Sequence, residues 1–453
     1  MSVGRMGDGL GRREVLVAGL GVGWGLCTRR ALGQATKQDD APGGSHRPLP
    51  PLGKGGREMA ALDEALAKFM EGHQPPGMAV AVTYRGRLVY ARGFGFADVE
   101  KQEPVRPESL FRIASLSKTF TSAAVMKLVE AGKIKLDDRV LPIIKIEPFL
   151  ENGASLDKRW NDITVRQCLQ HTAGFDRGKG FDPMAAVTAE ETAAALKVPL
   201  PVTHTQIIQY SMGKPLDFDP GTAYVYSNFG YCLLGRVIEA VSGQAYPEFV
   251  RKEVLAPVGI KDMRLGKNLL EDRAAGEVKY YDSRGRRGRA ISGPQIGKRV
   301  PLPYGVECIE TMDANGGWIA SAVDLMRFAV ALENPKKCPI LKEATIAAML
   351  APPPGKVGHE ADGRAKRAYY ACGWNVHTDP GRPGQVAKAH GGLLAGSSTT
   401  LNCGDDGINW TALFNCDADQ EGKEFGGVVG GVVRQALAGV KEWPEGDLFR
   451  GEK

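Results

Sequence analysis

A serine that attacks a carbonyl carbon needs a group to take its proton and donors to hold the oxyanion. A serine and a lysine three residues apart on a helix can supply the first two parts, because positions i and i+3 share a face. The 453-residue chain offers this step three times, at Ser115/Lys118, Ser155/Lys158 and Ser211/Lys214. Context separates them. Ser155 lies in a polar stretch with no apolar stripe to fix a helix. Lys214 precedes Pro215, and proline disfavours the helical region at the residue before it. Only Ser115 opens a strong apolar run, with Leu116, Phe120, Ala123, Ala124 and Leu128. That run is apolar nearly all round, so the helix is expected to be central and buried. The positive end of a helix favours an oxyanion at Ser115 and disfavours a protonated Lys118, and burial pushes Lys118 the same way. Lys118 is therefore a candidate base. The alternative is that Ser115 only caps the helix and Lys118 lies on the surface.

Two further groups carry polar side chains suited to the same reaction. Tyr226-Ser227-Asn228 is the sole Tyr-x-Asn of the chain. In an extended segment Tyr226 and Asn228 face one side, Tyr226 to shuttle protons and Asn228 to hold a substrate amide. The plainer reading is a loop aromatic followed by Asn228 as a helix N-cap. His390-Gly391-Gly392 is the sole His-x-Gly, read as ending one apolar strand and beginning another. Glycine there lets a substrate backbone lie close to the strand, with the N–H of Leu393 as a second oxyanion donor. The plainer reading is a core or loop histidine.

The order Ser115-Leu-Ser-Lys118, Tyr226-Ser-Asn228, His390-Gly-Gly392 resembles the three-motif order of the serine β-lactamase-like and penicillin-binding family, nearest its class C and D-alanyl carboxypeptidase branch. Phe111-Arg-Ile-Ala-Ser115, Gln170-His-Thr-Ala-Gly174, Pro220-Gly221 and Gly316-Gly317 with Asp324 resemble the family too, and the likeness covers residues 58–440. It implies an acylated Ser115, Lys118 and Tyr226 moving protons, Asn228 orienting substrate, and the N–H groups of Ser115 and Leu393 holding the oxyanion. One departure stands out. The third motif of true β-lactamases carries a lysine, and His390 takes its place. A constant cation is thereby exchanged for a group expected to titrate near neutrality, which within the family points to esterases, peptidases and amidases. Three readings follow: a serine hydrolase acting on a small ester, amide or peptide; a penicillin-binding D-alanyl peptidase or slowly deacylating sensor; and a class C-like β-lactamase.

The elements that must position these residues follow from pattern. Residues 58–72 read as a helix, 78–84 and 88–93 as strands joined by Arg85-Gly86, and 115–131 as the long helix, stopped by Gly132. Helices are expected near 164–171, 190–196, 204–212 and 230–242, then from Ser321 to about Leu332. Thr164/Gln167 and Ser321/Asp324 form capping boxes. Strands return at 370–376, 385–390, 396–403 and 408–415, and a helix closes the chain near 427–440. Strands at both ends with helices between predict an α+β fold, an antiparallel sheet flanked by helices with an inserted, mainly helical lobe. Residues 58–135 and 301–445 would build the sheet lobe and 136–300 the helical lobe, with the site in the cleft between them. His171 reads as structural, Asp324/Arg327 as a surface ion pair, and 265–315 as a long segment without a matching motif.

Composition excludes several classes. Apolar residues make up 43% and charged residues 24%, ordinary globular usage. Of the net charge of +6, half belongs to residues 1–35, which hold five Arg against one Asp and one Glu. The rest is too dispersed for a nucleic-acid surface. No Gly-x-Ser-x-Gly and no His-Glu-x-x-His occurs, against an α/β-hydrolase or a zinc peptidase. Neither metal nor cofactor is expected. The partner would be a small-molecule or peptide substrate. Arg12-Arg13 before the apolar run 15–26, then small residues, reads as an export signal over 1–35, of twin-arginine type. A lipid anchor at Cys27 fits poorly with the bulky Trp24. Residues 36–57 read as a linker. The mature chain would be periplasmic or extracellular with no stable membrane span. Export would permit one or two disulfides among Cys168, Cys232, Cys308, Cys338, Cys372, Cys403 and Cys416.

Overall fold

The hairpin that founds the sheet is set by its loop. Arg85 and Gly86 both take positive φ, 48° and 80°, the backbone of a two-residue turn whose twist matches that of its strands. Gly77–Tyr84 and Arg87–Asp98 therefore pair antiparallel. Along Gly77–Tyr84 every second side chain belongs to a different core. Met78, Val80 and Val82 pack with Leu62, Leu66 and Phe69 of the helix Ala60–His73 and with Val429 and Val433 of the helix Phe425–Ala438. Ala79 and Ala81 belong to the larger core that holds Leu116, Phe120 and Ala124, with Leu325 and Phe328 of the helix Ala322–Ala331.

The computed structural model describes residues 49–450 except 180, 380 and 382–385. The expected export signal and most of the linker lie outside the described residues. The end of that linker is corrected: Leu52–Gly55 is an edge strand paired with Arg87–Asp98. The carboxy-terminal strands complete the sheet in the order Leu52–Gly55, Arg87–Asp98, Gly77–Tyr84, Ile408–Phe414, Ser397–Cys403, Val386–Leu394, Asn375–Thr378, Ala368–Tyr370. All pairs are antiparallel, so the α+β architecture read from the sequence holds. His390-Gly391-Gly392 does not separate two strands. Val386–Leu394 runs through it unbroken, with His390 opposite Leu401.

Along the chain, between the amino- and carboxy-terminal strands of the sheet, come the helices Val165–Leu169, Ala186–Leu196, His204–Met212 and Asn228–Ser242. Thr164/Gln167 and Ser321/Asp324 form the expected capping boxes. Asp324 is spent on that cap, and Arg327 instead stacks on Phe449, 4.7 Å from its ring centre. The segment read as mainly helical also contributes short strands: Arg264–Leu265 joins a small sheet with Trp318–Ala320 and Phe111–Arg112, and Arg287–Arg289 pairs with Arg299–Pro301. Among the described residues no helix is long and apolar enough to cross a membrane. The seven described cysteines are all thiols, so the disulfides that export would permit are not formed among them.

Candidate active site

The nucleophile candidate stands on a forced turn. Ile113 is tied to the small sheet, its N–H donating to the Trp318 carbonyl at 2.9 Å. Ala114 then takes φ +47°, a left-handed conformation that costs a non-glycine residue roughly 1 kcal/mol. The 3-10 turn Ala114–Leu116 leads directly into the helix Ser117–Glu130. Ser397 Oγ donates to the Arg112 carbonyl at 2.6 Å and Thr399 Oγ1 to the Ile113 carbonyl at 3.1 Å. The Arg112 guanidinium is itself buried, donating to the carbonyls of Pro303 and Lys267 at 2.7 Å each. Ser115 is thus held on the chain's own framework, and it makes no N-cap bond.

Lys118 is fully buried. Its Nζ donates to Asn228 Oδ1 at 2.8 Å and to the Asn315 carbonyl at 2.6 Å, and lies 3.1 Å from Ser115 Oγ, where the lone pair of the neutral amine can accept the hydroxyl proton. All three partners are neutral, and among the described residues no carboxylate lies within ion-pair distance. Burial without a counter-ion holds the ammonium well below its ordinary proton affinity, and the charge of Arg177 adds to the effect. The surface-lysine reading is therefore excluded. Ser155 and Lys158, by contrast, are exposed, while Ser211 spends its hydroxyl on the Ile207 carbonyl at 2.7 Å.

Tyr226 and Asn228 reach the same spot from the segment before the helix Asn228–Ser242. Asn228 is the first residue of that helix, not its cap, which is Ser227. Its amide oxygen is turned to Lys118, whose ammonium also lies 5.0 Å from the Tyr226 ring centre. The Tyr226 hydroxyl is buried beside Ser115, and burial pushes its proton affinity up. His171 explains how this segment is held. In a left-handed turn (φ +57°), its carbonyl accepts from Val225 and its Nδ1 from the Ser227 N–H at 3.2 Å. Its ring lies 4.2 Å from that of Tyr226. His171 is thus a positioning residue, in line with its structural reading.

His390 departs from expectation. It is buried, with Nδ1 2.6 Å from the Gly391 carbonyl and Nε2 2.9 Å from Tyr370 Oη. A carbonyl can only accept, so Nδ1 carries the proton and Nε2 accepts from the tyrosine. Burial drives its pKa down from 6.5 to about 3, with Lys118 contributing. It is a neutral relay to Tyr370 and does not titrate near neutrality. Gly392 also has a different use from the one expected. A Cβ there would stand 2.3 Å from the Ile113 carbonyl and 2.4 Å from Thr399 Oγ1, so the backbone it admits is the protein's own. This brings Leu393, paired with Ser398, alongside the Ser115 turn. Gly391 carries no such constraint, its nearest neighbour being the Thr399 carbonyl at 3.6 Å. Gly392→Ala should cost about 1–3 kcal/mol and lower the rate of acylation at Ser115. Thermal melts and labelling kinetics check this, and a variant indistinguishable from wild type in both would refute the close approach.

The neutral histidines also leave a mark on stability. The unfolded chain takes up a proton at His390 below about pH 6.5, and the folded chain does not until about pH 3. The unfolded state binds more protons in that window, so stability is fully present above pH 6.5 and is lost as the pH falls. The slope contributed by one such histidine reaches about 1.4 kcal/mol per pH unit. Urea melts between about pH 4 and 6 should show a shallower dependence in His390→Gln than in wild type; an unaltered slope would contradict a neutral His390.

Some of the site was not foreseen. Asn315 enters through its backbone carbonyl, on the turn Asp313–Gly316. That turn is fixed by the buried pair Arg236–Asp313, 2.7 Å, with His204 on the other carboxylate oxygen at 3.2 Å. Gly316-Gly317 was its one visible signal. Tyr370 and Arg177 gave none. Beside the site a shallow hollow is lined by Pro183, Met184, Ala189, Ile207, Glu307 and Met312 among others. Met312 packs with Ala114 and Leu394, so the hollow adjoins the nucleophile turn. Among the described residues no cluster fit to hold a metal ion occurs.

An antiparallel sheet with helices on both faces, and a buried Ser–Lys pair at the foot of its central helix, define a β-lactamase-like serine hydrolase architecture. The chain belongs to the β-lactamase family, whose model matches residues 62–426. It is similar to the mouse mitochondrial serine β-lactamase-like protein LACTB, 25% identical over 441 residues, covering 80% of this chain and 75% of that protein. Penicillin-binding protein 4* of Bacillus subtilis (strain 168) is 29% identical over 211 residues, covering 46% of this chain and 41% of its own. Among solved structures, the octameric penicillin-binding protein homologue from Pyrococcus abyssi superposes with a TM-score of 0.60 at 25% identity, over 84% of this chain and 77% of its own. The D-amino acid amidase from Ochrobactrum anthropi SV3 shares the fold, with a TM-score of 0.60 at 20% identity over 85% of this chain and 97% of its own.

Proposed function

We propose that this chain is a serine hydrolase that acts through an acyl-enzyme on Ser115, with a small ester, amide or peptide as substrate. The observation that carries this reading is the buried Lys118 side-chain nitrogen 3.1 Å from Ser115 Oγ with only neutral partners. A lysine so placed is a base at neutral pH. Neutral Lys118 takes the Ser115 proton as Oγ bonds to the carbonyl carbon. The oxyanion is held by the N–H groups of Ser115 and Leu393. Tyr226 and Lys118 return the proton to the leaving group as its bond to carbon breaks. Water then attacks the acyl carbon, giving a proton back through the same pair, and Ser115 is released. Asn228 holds Lys118 in place as well as facing the substrate.

His390 brings no cation to the strand, which favours esters and amides over rapid lactam hydrolysis. A penicillin-binding peptidase or slow sensor is the second reading, supported by the relatives named as penicillin-binding proteins. We place the mature chain outside the cytoplasm on the strength of its amino-terminal sequence. An intact-mass time course with a penicillin and with simple p-nitrophenyl esters tests the proposal. An adduct on the Ser115 peptide that turns over with an ester is the expected result. A lasting penicillin adduct would favour the second reading, and labelling at any other residue would overturn both.

A further inference from the structure

A site built for acyl transfer has to be asked where its charge is. Burial works against a charge on Lys118, His171 and His390 and keeps the tyrosines protonated. Arg177 is the exception. It sits on the short turn Arg177–Lys179, half-buried, with its guanidinium 5.6 Å from the ring centre of Tyr226, the tyrosine beside Ser115. Lys118, His171, Tyr224 and Tyr226 all feel its charge.

The other arginines near the site are saturated. Arg112 bonds to carbonyls, Arg236 to Asp313 and Arg159 to Asp157 and Asp219. Among the described residues Arg177 has no ion pair and no side-chain hydrogen bond. Asp182 feels its charge, but the Asp182 Oδ1 accepts from the Met184 N–H at 3.0 Å and burial pushes that carboxyl up. Asp182 lies outside ion-pair distance of Arg177. A guanidinium presents five donors in a planar fork shaped for a carboxylate. Left half-buried over an aromatic ring beside the nucleophile, it is a fork without its anion.

We propose that Arg177 binds a carboxylate of the substrate, so that the natural substrate is an acid as well as an ester or amide. This rests on the Ser115 reading and specifies its substrate class. The cation absent from the strand at His390 is supplied here from the other side of the cleft, next to Tyr226. A bidentate pair would set the substrate against Ser115 through Arg177 on one side and Leu393 on the other.

The test compares two p-nitrophenyl esters of equal chain length, the neutral butyrate and the anionic monosuccinate. Wild type should prefer the anionic ester in kcat/KM. In Arg177→Gln that preference should fall by about ten- to hundred-fold, chiefly through KM, and Arg177→Lys should restore part of it. Taking the ratio removes any general effect of Arg177 on Lys118, which raises or lowers both esters together and moves the acid limb of both pH profiles. No preference in wild type, or a ratio unaltered by Arg177→Gln, would overturn the proposal. Labelling of Ser115 by a neutral fluorophosphonate reports on the nucleophile separately: absence of labelling in wild type would sink the Ser115 reading itself. If labelling occurs but neither ester turns over, protection by succinate and not by succinamide, lost in Arg177→Gln, supports the carboxylate site, and equal protection by both refutes it.

Discussion

Ser115→Ala should abolish acyl-enzyme formation and lower turnover by on the order of 10⁴-fold or more, while the protein still melts within a few degrees of wild type. The two halves of this expectation have separate causes. The hydroxyl is the only group of the site placed to attack, since Ser211 is committed to the Ile207 carbonyl and Ser155 lies exposed in another segment. The fold loses little, because Lys118 keeps its bonds to Asn228 and to the Asn315 carbonyl and the Ala114 turn is pinned by Ser397 and Thr399. Intact-mass labelling with a fluorophosphonate and a thermal melt measure the two halves. Full residual hydrolysis in the variant would place the nucleophile elsewhere.

Lys118→Met and Lys118→Arg should differ in a direction that charge conservation does not suggest. Both lose the base, so kcat/KM falls by about 10²–10⁴-fold. Methionine removes the cost of keeping an amine uncharged in a buried site, and leaves Asn228 Oδ1 and the Asn315 carbonyl short of a donor at about 1–3 kcal/mol each. These oppose one another, and the Met variant should fold with modestly altered stability. Arginine cannot give up its proton, so it carries a permanent charge among neutral acceptors and should be the less stable of the two by several kcal/mol. Chemical denaturation of both variants decides it. An Arg variant as stable as the Met variant would mean that Lys118 is charged in the folded protein.

Much of this was legible in the sequence because it is local. The helix Ser117–Glu130 follows from a run of apolar residues closed by Gly132, and the capping boxes follow from pairs three residues apart. The Ser115/Lys118 step stood out from its two copies by the same local reasoning. What stayed hidden is non-local or lacks a side chain. The Asn315 carbonyl is a backbone atom, and nothing in residue type marks it. Whether His390 titrates depends on Tyr370 and on burial, neither of which spacing reveals. Leu52–Gly55 looked like linker because a four-residue edge strand with two glycines has almost no periodicity to read. Arg177 lies in a loop rich in charged residues, where one unpaired guanidinium looks like any other.

The strand order has a consequence for how the protein comes into being. Gly77–Tyr84 has its sheet neighbour at Ile408–Phe414, with Val82 opposite Trp410, so more than 300 residues must be made before the central ladder can close. The turn that presents Ser115 leans on Ser397 and Thr399, from the same late segment. A nascent chain therefore carries its serine and lysine for most of its synthesis without being able to assemble them. Closing so distant a pairing is slow, and a chain cut short before the last strands would lack the contacts that hold the Ser115 turn. On the proposed chemistry, reactivity at Ser115 would wait for the strands that hold its turn.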